Sequence, residues 1–405
     1  MTSDSLTNLI ERIKVRTPVL PESFLSQAGE SKAAITSFFL IFILAVSLPP
    51  KWASLHIAGL ALVAAAGFAR REDWRSPAMR TFLFCTALWL VPVLLTAGLQ
   101  NALGVATAPD GSELLALVLR MLGIGLGIIV LLQRGWLTLN SAILALLCAL
   151  SIHAGAGLID FFTTPNASLA GWRELRINGL VFNPNPFGMF MALTVILSAG
   201  FLCKQPRRLA LWALLIVALL GVWTSGSRGA ILTLATGCAV LFPPVTRSRL
   251  FFYLGCATLA LSIYMNVEIA DPNMPHSDSV RMQIIAFTLE QIRQAPWLGW
   301  GIGAYEHLPG HVVNAPHNMW LDLAISSGIV ALVGALASTG FLAYRLYRRG
   351  DPAAQLALAV LAASVMAGTL EYSILDSTHF RGVWVLVTAI ACYMLNERTL
   401  HTAKN

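Results

Sequence analysis

The sequence predicts an all-α, polytopic integral membrane protein with about twelve transmembrane helices and a long outer loop that contains an amphipathic helix. Three properties predict this fold class: apolar residues make up 57% of the 405 positions, charged residues only 12%, and the mean hydropathy is +0.71. A soluble domain carries about 25% charged residues, so a soluble globule is excluded. We assign the net charge of +7 to basic cytoplasmic loops and expect no nucleic acid partner.

Twelve apolar segments form the cores of the predicted spans, each of which needs about 20 mostly apolar residues. The cores lie at 33–48, 53–69, 81–98, 114–132, 137–157, 187–203, 209–224, 229–242, 249–266, 319–343, 353–372 and 381–395. The resulting parts of the chain are a cytoplasmic N-terminal segment (1–32), a transmembrane domain (33–395), a long outer loop within that domain (267–318) and a cytoplasmic tail (396–405). The segment 1–32 does not have the pattern of a signal peptide, so we expect the first membrane helix to direct insertion.

The basic residues set the predicted orientation, because cytoplasmic loops carry the excess of Lys and Arg. Placing both termini in the cytoplasm satisfies this rule across every short loop. The basic residues that remain on the outer side are Lys51, Arg173, Arg176, Arg228, Arg281, Arg293 and Arg381. A guanidinium presents a planar fork of donors that matches phosphate oxygens. We interpret the arginines as a phosphate-facing set, while snorkelling at the membrane surface is the alternative for any single one.

The outer loop 267–318 contains a helical pattern after the N-cap cluster Ser277-Asp278-Ser279. Its apolar positions are Val280, Ile284, Phe287 and Ile292, and Pro296 ends the pattern. We expect an amphipathic helix at the outer membrane–water boundary, with Arg281 in its first turn. The following glycines, from Gly299 to Gly303, permit close backbone approach.

The end of this loop, Asn314-Ala315-Pro316-His317-Asn318, suggests a general base. Proline is favoured at the first position of a helix, which predicts His317 in the N-terminal turn of the tenth span. The partial positive charge of a helix N-terminus would keep the imidazole neutral and able to accept a proton. The alternative is a histidine that caps the helix or lies at headgroup level.

Two further outer segments begin helices. In Thr224-Ser225-Gly226-Ser227-Arg228-Gly229-Ala230, a serine caps the eighth span, and backbone N–H groups together with Arg228 predict an anion site. The alternative is a tight turn with a snorkelling arginine. In Asn183-Pro184-Asn185-Pro186-Phe187-Gly188, Asn185 is the predicted cap of the sixth span, with Arg173 and Arg176 just upstream.

The remaining ionisable candidates lie near the outer surface. Arg120 is placed about 10 Å below it, at a depth where charges are usually functional or paired. Asp376 and Arg381 flank the outer end of the last span, and Glu371 lies nearby; any of these carboxylates could pair with the arginines or orient the histidine. The residues Glu306, His307 and His311 resemble metal ligands, but Pro309-Gly310 interrupts the helix that would bring the histidines together. We expect neither a metal nor a cofactor.

Taken in order, these motifs resemble the O-antigen ligase and polymerase superfamily. The resemblance is carried by Ser225 to Ala230, Arg281, Gly299 to Gly303, Pro316-His317-Asn318 and Gly328-Ile329. It implies a GT-C-like glycosyltransferase in the bacterial inner membrane, with both termini cytoplasmic and the active site on the periplasmic side. The enzyme would move an O-antigen glycan from an undecaprenyl diphosphate-linked donor to the lipid A–core oligosaccharide, among membrane lipids.

The resemblance also implies roles for individual residues. The two functional arginines of the family match Arg228 and Arg281, which would bind the diphosphate, and its functional histidine matches His317, the catalytic base. The late acidic residue of the ligase branch matches Asp376. The possible supporting residues are Arg120, Arg173, Arg176, Asp376 and Arg381. The implied reaction is metal-independent and inverting.

Two alternatives remain open from sequence. An O-antigen polymerase of the same superfamily uses similar chemistry with a different acceptor. A twelve-helix secondary transporter would place its site near the membrane midplane, whereas this chain carries its polar residues at one face. The distribution therefore favours an enzyme over a transporter.

Overall fold

The computed structural model describes residues 69–104, 111–135, 137–163, 177–181, 183–203, 205–242, 277–311, 315–371, 375 and 378–402. Within those ranges the chain is helical and contains no strand. The helices are α1 (Arg71–Arg75), α2 (Pro77–Ala102), α3 (Gly111–Gln133), α4 (Leu139–Thr163), α5 (Pro184–Leu202), α6 (Leu209–Thr224), α7 (Arg228–Leu241), α8 (Ser277–Gln294), α9 (Met319–Arg349), α10 (Pro352–Leu370) and α11 (Thr378–Thr402). Short 3-10 helices cover Gly179–Val181 and Ala304–His307.

Nine of the predicted spans coincide with α2 to α7 and α9 to α11. The cores 33–48 and 249–266, and all but the last residue of 53–69, lie outside the described residues, as does the segment 1–32. In the described part of the chain, α2, α3, α4, α5, α9 and α10 are long and apolar enough to cross a membrane. These helices support a multi-pass membrane protein. The last helix continues to Thr402, into the predicted cytoplasmic tail.

Several helices begin with the same local chemistry, a polar cap followed by proline. The Ser76 hydroxyl accepts a hydrogen bond from Met79 N (3.2 Å) at the start of α2, and Asp351 Oδ1 accepts one from Ala354 N (2.8 Å) at the start of α10. These caps satisfy N–H groups that have no partner within the helix, and proline supplies a helical φ without needing a donor.

The most buried helix is α5, which packs against α4, α6, α7 and α10. A second group forms where α2 packs along α9 and where α11 packs against α2 and α3. The α2–α9 contact is close because Gly334 faces the backbone of Leu88, where a Cβ would overlap the Leu88 carbonyl oxygen. Small residues allow such close helix packing within membranes.

The helix α9 is broken near its N-terminal end, which differs from the single predicted span 319–343. Gly328 has φ 81° and ψ 172°, a conformation that interrupts the helical hydrogen bonding. The break separates a short N-terminal piece, residues 319–327, from the longer piece that follows; we call it the outer piece of α9, after the predicted orientation. This outer piece is the one that carries the predicted base at its N-terminal side.

The loop after α8 supplies the hydrogen bonds that the break leaves open. Ile329 N donates to Pro296 O (2.8 Å), and Trp300 N donates to Ile325 O (2.7 Å). The side-chain amide of Gln100, from α2, donates to Leu298 O (2.6 Å) and to Ser326 O (3.3 Å). Non-helical backbone at membrane depth requires such partners, because lipid offers none.

Candidate functional site

The beginnings of α5, α7 and α9 meet the end of α10 on one face of the molecule. Three glycines make this approach possible. A Cβ at Gly188 would overlap the side chains of Ser225 and Ala230, one at Gly229 would overlap Met189, and one at Gly368 would overlap Met319. Leu370 lies in ordinary van der Waals contact with the Gly229 position. The contact of Gly229 with Leu370 brings together segments that the sequence separates by more than a hundred residues.

A buried carboxylate, Glu371, forms the centre of this region. Its side chain is 5% exposed and follows directly after α10. Oε1 lies 3.4 Å from Nδ1 of His317, and Oε2 lies 3.3 Å from Nη2 of Arg281. The Asn185 side-chain amide donates to Oε2 at 3.1 Å. One carboxylate therefore joins three residues from three different helical segments, and we call these four residues the Glu371 cluster.

The guanidinium of Arg281 faces the cluster from α8. Nη1 donates to Leu370 O (3.2 Å), while Nη2 reaches Glu371. The side chain is nevertheless 43% exposed. Because a guanidinium carries five N–H donors in a planar fork, it can hold these two partners and still present donors to an anion on its open side.

The backbone around His317 corrects the predicted helix start. The helix α9 begins at Met319 with Asn318 as its N-cap, so His317 precedes the helix instead of lying in its first turn. Its φ is 50°, the one positive φ of a non-glycine residue in the described ranges. Left-handed backbone at such a residue costs about 1–3 kcal/mol and is often found at functional sites.

Asn318 and Trp320 hold this strained segment in place. Asn318 Oδ1 accepts hydrogen bonds from Trp320 N (2.9 Å) and Leu321 N (3.1 Å), and its Nδ2 donates to Thr369 O (2.8 Å). Trp320 Nε1 donates to Thr369 Oγ1 (2.8 Å). These hydrogen bonds hold the segment around His317 against the end of α10. Glu371 directly follows that end.

The electrostatics at His317 also differ from the sequence prediction. The hydrogen bond to Glu371 raises the pKa of His317 above its ordinary value, while burial and the nearby charge of Arg281 act in the opposite direction. The sequence prediction expected a helix end to act on this imidazole, whereas in the structure the carboxylate of Glu371 has the largest effect and raises the pKa. A raised pKa makes the imidazole a stronger proton acceptor, and contact through Nδ1 leaves Nε2 as the other ring nitrogen.

Arg228 begins α7 on the neighbouring wall of the site. Ser227 caps this helix, since its Oγ accepts from Ala230 N (3.2 Å). The adjacent Gly229 packs beside Leu370, whose carbonyl oxygen accepts from Arg281. The structure thus places Arg228 at a helix N-terminus next to the wall that carries Arg281, where backbone N–H groups and a guanidinium favour anions.

The other predicted site residues have different positions. Arg120 lies half-buried in α3, and Arg381 lies buried in the first turn of α11, where its Nη2 donates to Leu375 O. Arg173, Arg176 and Asp376 lie outside the described residues. Their roles remain predictions.

The residues that resembled metal ligands lie exposed on the loop after α8. His307 Nε2 lies 3.5 Å from Glu306 Oε1, and His311 Nδ1 lies 2.9 Å from Leu308 O. Among the residues that the structure describes, no group of three or more His, Cys, Asp or Glu side chains is arranged to hold a metal ion.

One member of the cluster was misassigned from sequence. Asn185 was predicted as the cap of the sixth span, but Asn183 caps α5, with its Oδ1 accepting from Asn185 N (3.0 Å). The side chain of Asn185 is thereby available to Glu371. The signal for this arrangement was the doubled Asn-Pro pair, because a helix needs only one cap.

Comparisons with known proteins found a family model and a curated relative that are similar to this chain. A family model described as O-antigen ligase matches residues 213–336, a range that includes Arg228, Arg281 and His317. Among curated proteins, an O-antigen ligase of Pseudomonas aeruginosa is 26% identical over 266 residues, which cover 61% of this chain and 62% of that relative. The chain therefore matches somewhat less than two thirds of the relative's length.

Proposed function

Because both comparisons support the O-antigen ligase family, we propose that this chain is a membrane glycosyltransferase. It moves an O-antigen glycan from undecaprenyl diphosphate to the lipid A–core oligosaccharide, on the periplasmic face of the bacterial inner membrane. Both termini are cytoplasmic in this proposal. The observation that carries it is the shared carboxylate of Glu371, which holds a candidate base, His317, beside a candidate diphosphate ligand, Arg281.

The donor supplies its own activation, so the protein needs only to stabilise charge and move one proton. A hydroxyl oxygen of the acceptor attacks the anomeric carbon as the bond from that carbon to the diphosphate oxygen breaks. Negative charge develops on the leaving diphosphate. Arg281 and Arg228 stabilise this charge in a site that is partly shielded from water, and such preorganised donors are often the largest catalytic contribution. Direct displacement inverts the anomeric centre.

His317 takes the proton from the attacking hydroxyl. A base is most effective when its pKa is near the working pH and when a second group fixes its orientation. Glu371 supplies both effects, because it raises the pKa of the imidazole and contacts Nδ1. Nε2 is then the nitrogen that accepts the proton. The imidazolium that forms lies beside a buried carboxylate, which stabilises it.

The placement of the charged residues also distinguishes this proposal from transport. The Glu371 cluster lies at helix ends, whereas transporters usually bind their substrates near the membrane midplane, at broken helices in repeated halves. At the one described helix break, Gly328, the backbone groups of α9 on either side already form hydrogen bonds with the loop after α8.

A lipopolysaccharide gel from a deletion strain tests the proposed function. We expect the strain to accumulate bare lipid A–core and carrier-linked polymer, and the wild-type chain to restore the polymer ladder on lipid A–core. His317→Ala, at equal expression, should leave lipid A–core bare. A strain whose lipid A–core carries a single repeat unit would indicate a polymerase instead. Uptake of a small solute by proteoliposomes containing the chain would support a transporter.

A further inference from the structure

The helix α8 has two apolar faces, and the face predicted from sequence to meet the membrane is covered by protein. Ile284 is buried in a small cluster with Tyr305, Leu308 and Ile325. The ring of Phe287 packs edge-on against Tyr305, with ring centroids 5.6 Å apart. This face therefore attaches α8 to the loop that follows it and to the outer piece of α9.

A second apolar strip lies on the exposed side of the same helix. Met282 and Leu289 are 65% and 48% exposed, and Trp297, just beyond the helix end, is 68% exposed. With about 100° of rotation per residue, Met282, Ala286 and Leu289 fall within a sector of about 60°. We call these three residues and Trp297 the α8 strip.

Most polar residues of α8 flank this strip on one side. Arg293, which is 82% exposed, lies within the sector near the end of the helix, where its long side chain can extend to the lipid headgroups. Gln283 and Glu290 are exposed and lie about 80–100° around the helix from Met282. On the other flank, about 100° from Met282, lies Arg281, which reaches the Glu371 cluster. The strip therefore separates the side of α8 that faces the site from the side that carries hydrophilic residues.

The α8 strip is continuous with the outer surface of two membrane-spanning helices. The carbonyl oxygens on either side of Trp297, at Pro296 and Leu298, accept hydrogen bonds from Ile329 N of α9 and from Gln100 of α2. Exposed apolar side chains lie near these partners along the chain, namely Leu95, Leu99 and Leu103 in or after α2, and Val330 and Val333 in α9. On spanning helices, such surfaces face hydrocarbon.

We propose that the α8 strip is a membrane-docking surface whose partner is the acyl chain region of the outer leaflet. The continuity with α2 and α9 identifies this partner, because lipid that covers Leu99 and Val330 also reaches Trp297. Tryptophan is enriched at this depth of a membrane. An apolar face with an adjacent polar face is the pattern of a helix that lies in the interface plane.

This orientation fixes how a lipid-linked substrate reaches the site. With Met282 and Leu289 in the leaflet, Arg281 lies at the level of the lipid headgroups, on the flank that faces Glu371. A diphosphate attached to a lipid tail can then approach Arg281 from the side while its tail remains in the leaflet. This step rests on the proposed function, whereas the docking surface does not.

Photo-cross-linking of the full chain in nanodiscs tests the docking surface. A benzophenone amino acid is placed singly at positions 282 and 289, and, as matched controls on the same helix, at 283 and 290. The nanodiscs contain phosphatidylethanolamine and phosphatidylglycerol. We expect lipid adducts at 282 and 289 that exceed those at 283 and 290 at least fivefold. Equal lipid adduct yields at all four positions, or adducts from 282 and 289 to protein instead of lipid, would overturn the proposal.

A second measurement uses intact cells and does not depend on glycan transfer. Leu289→Cys and Glu290→Cys are compared for labelling by a membrane-impermeant maleimide, with the wild-type chain as the background control. We expect Glu290→Cys to be labelled and Leu289→Cys to be protected. Equal labelling of the two variants would show that the strip lies in water, even if glycan transfer is intact. Failure of the proposed function would instead appear in the gel and leave this labelling difference unchanged.

Discussion

Oε1 of Glu371 lies 3.4 Å from Nδ1 of His317, so the candidate base is paired with a carboxylate that is almost fully buried. The same carboxylate uses its other oxygen to bind Arg281. A proton gained by the imidazole is therefore balanced by a negative charge that also positions a guanidinium. This arrangement links proton acceptance to the geometry of the proposed diphosphate site.

Removing the charge of Glu371 should lower the activity and shift the acidic limb of its pH profile to lower pH. In Glu371→Gln the hydrogen bond and charge that raise the pKa of His317 are lost, so this pKa falls. Activity requires the neutral imidazole, and the acidic limb of the pH–activity profile should therefore move to lower pH. We expect kcat to drop by on the order of 10²-fold, the range typical of a base and its partners. Initial rates of glycan transfer across pH 5 to 8 provide the measurement.

The matched control for this prediction is Glu306→Gln. Glu306 is an exposed carboxylate beside His307 and lies outside the Glu371 cluster. Its replacement should leave the rate and the acidic limb unchanged. If Glu371→Gln lost activity while the acidic limb stayed at the wild-type pH, Glu371 would be structural and would not tune the base.

Sequence reasoning selected the arginines and the histidine, but it left Glu371 as one of several carboxylates that could join them. Periodicity and hydropathy predict helices well, which is why nine predicted cores match helices. By contrast, the break at Gly328 depends on the loop after α8, whose backbone bonds to Ile325 and Ile329 form only in the folded chain. Glu371 was one carboxylate among several near the outer surface, and only tertiary packing brings it to His317.

Replacing Arg281 by lysine should impair the donor site although the charge is retained. Arg281 uses Nη1 for Leu370 O and Nη2 for Glu371, and a single ammonium cannot hold both partners and also present a fork to a diphosphate. We expect Arg281→Lys to lower kcat/KM for the lipid-linked donor by about a hundredfold. Arg293→Lys is the control, since Arg293 lies on the same helix and is largely exposed. Similar kinetics for both variants would argue against a bidentate role.

The broken helix gives a prediction about stability. A methyl group at position 328 would overlap the carbonyl oxygen of Trp297, and the φ of 81° disfavours any side chain. We expect Gly328→Ala to lower the free energy of unfolding by about 1–3 kcal/mol or more. Gly340→Ala is the matched control in the same helix, because a Cβ there meets nothing within 4 Å. It should be neutral or stabilising, by up to about 1 kcal/mol. Thermal unfolding in detergent compares the two, and equal melting temperatures would contradict the prediction.

Gln100 should matter for the position of the base although it lies on a different helix. Its buried amide donates to Leu298 O and to Ser326 O, and so holds the loop after α8 against the outer piece of α9. In Gln100→Leu both carbonyl groups lose these bonds, but Ser326 O still accepts a hydrogen bond from Gly301 N (3.0 Å). The loss therefore falls mainly on Leu298 O, and a buried group left unsatisfied costs about 1–3 kcal/mol. We expect a lower melting temperature and a reduced kcat, with the acidic limb of the pH profile unchanged because the pair of Glu371 and His317 is retained.

The control for Gln100→Leu is Gln294→Leu, an exposed glutamine at the end of α8 that donates only to the side chain of Glu290 among its described bonds. A surface substitution of this kind changes stability by no more than about 0.5 kcal/mol. If Gln100→Leu matched this control in melting temperature and in kcat, the hydrogen bonds of Gln100 would not hold the outer piece of α9 in place. Since His317 lies just before that piece, the position of the base would then depend on the bonds of Asn318 and Trp320 to Thr369 and on the contact with Glu371.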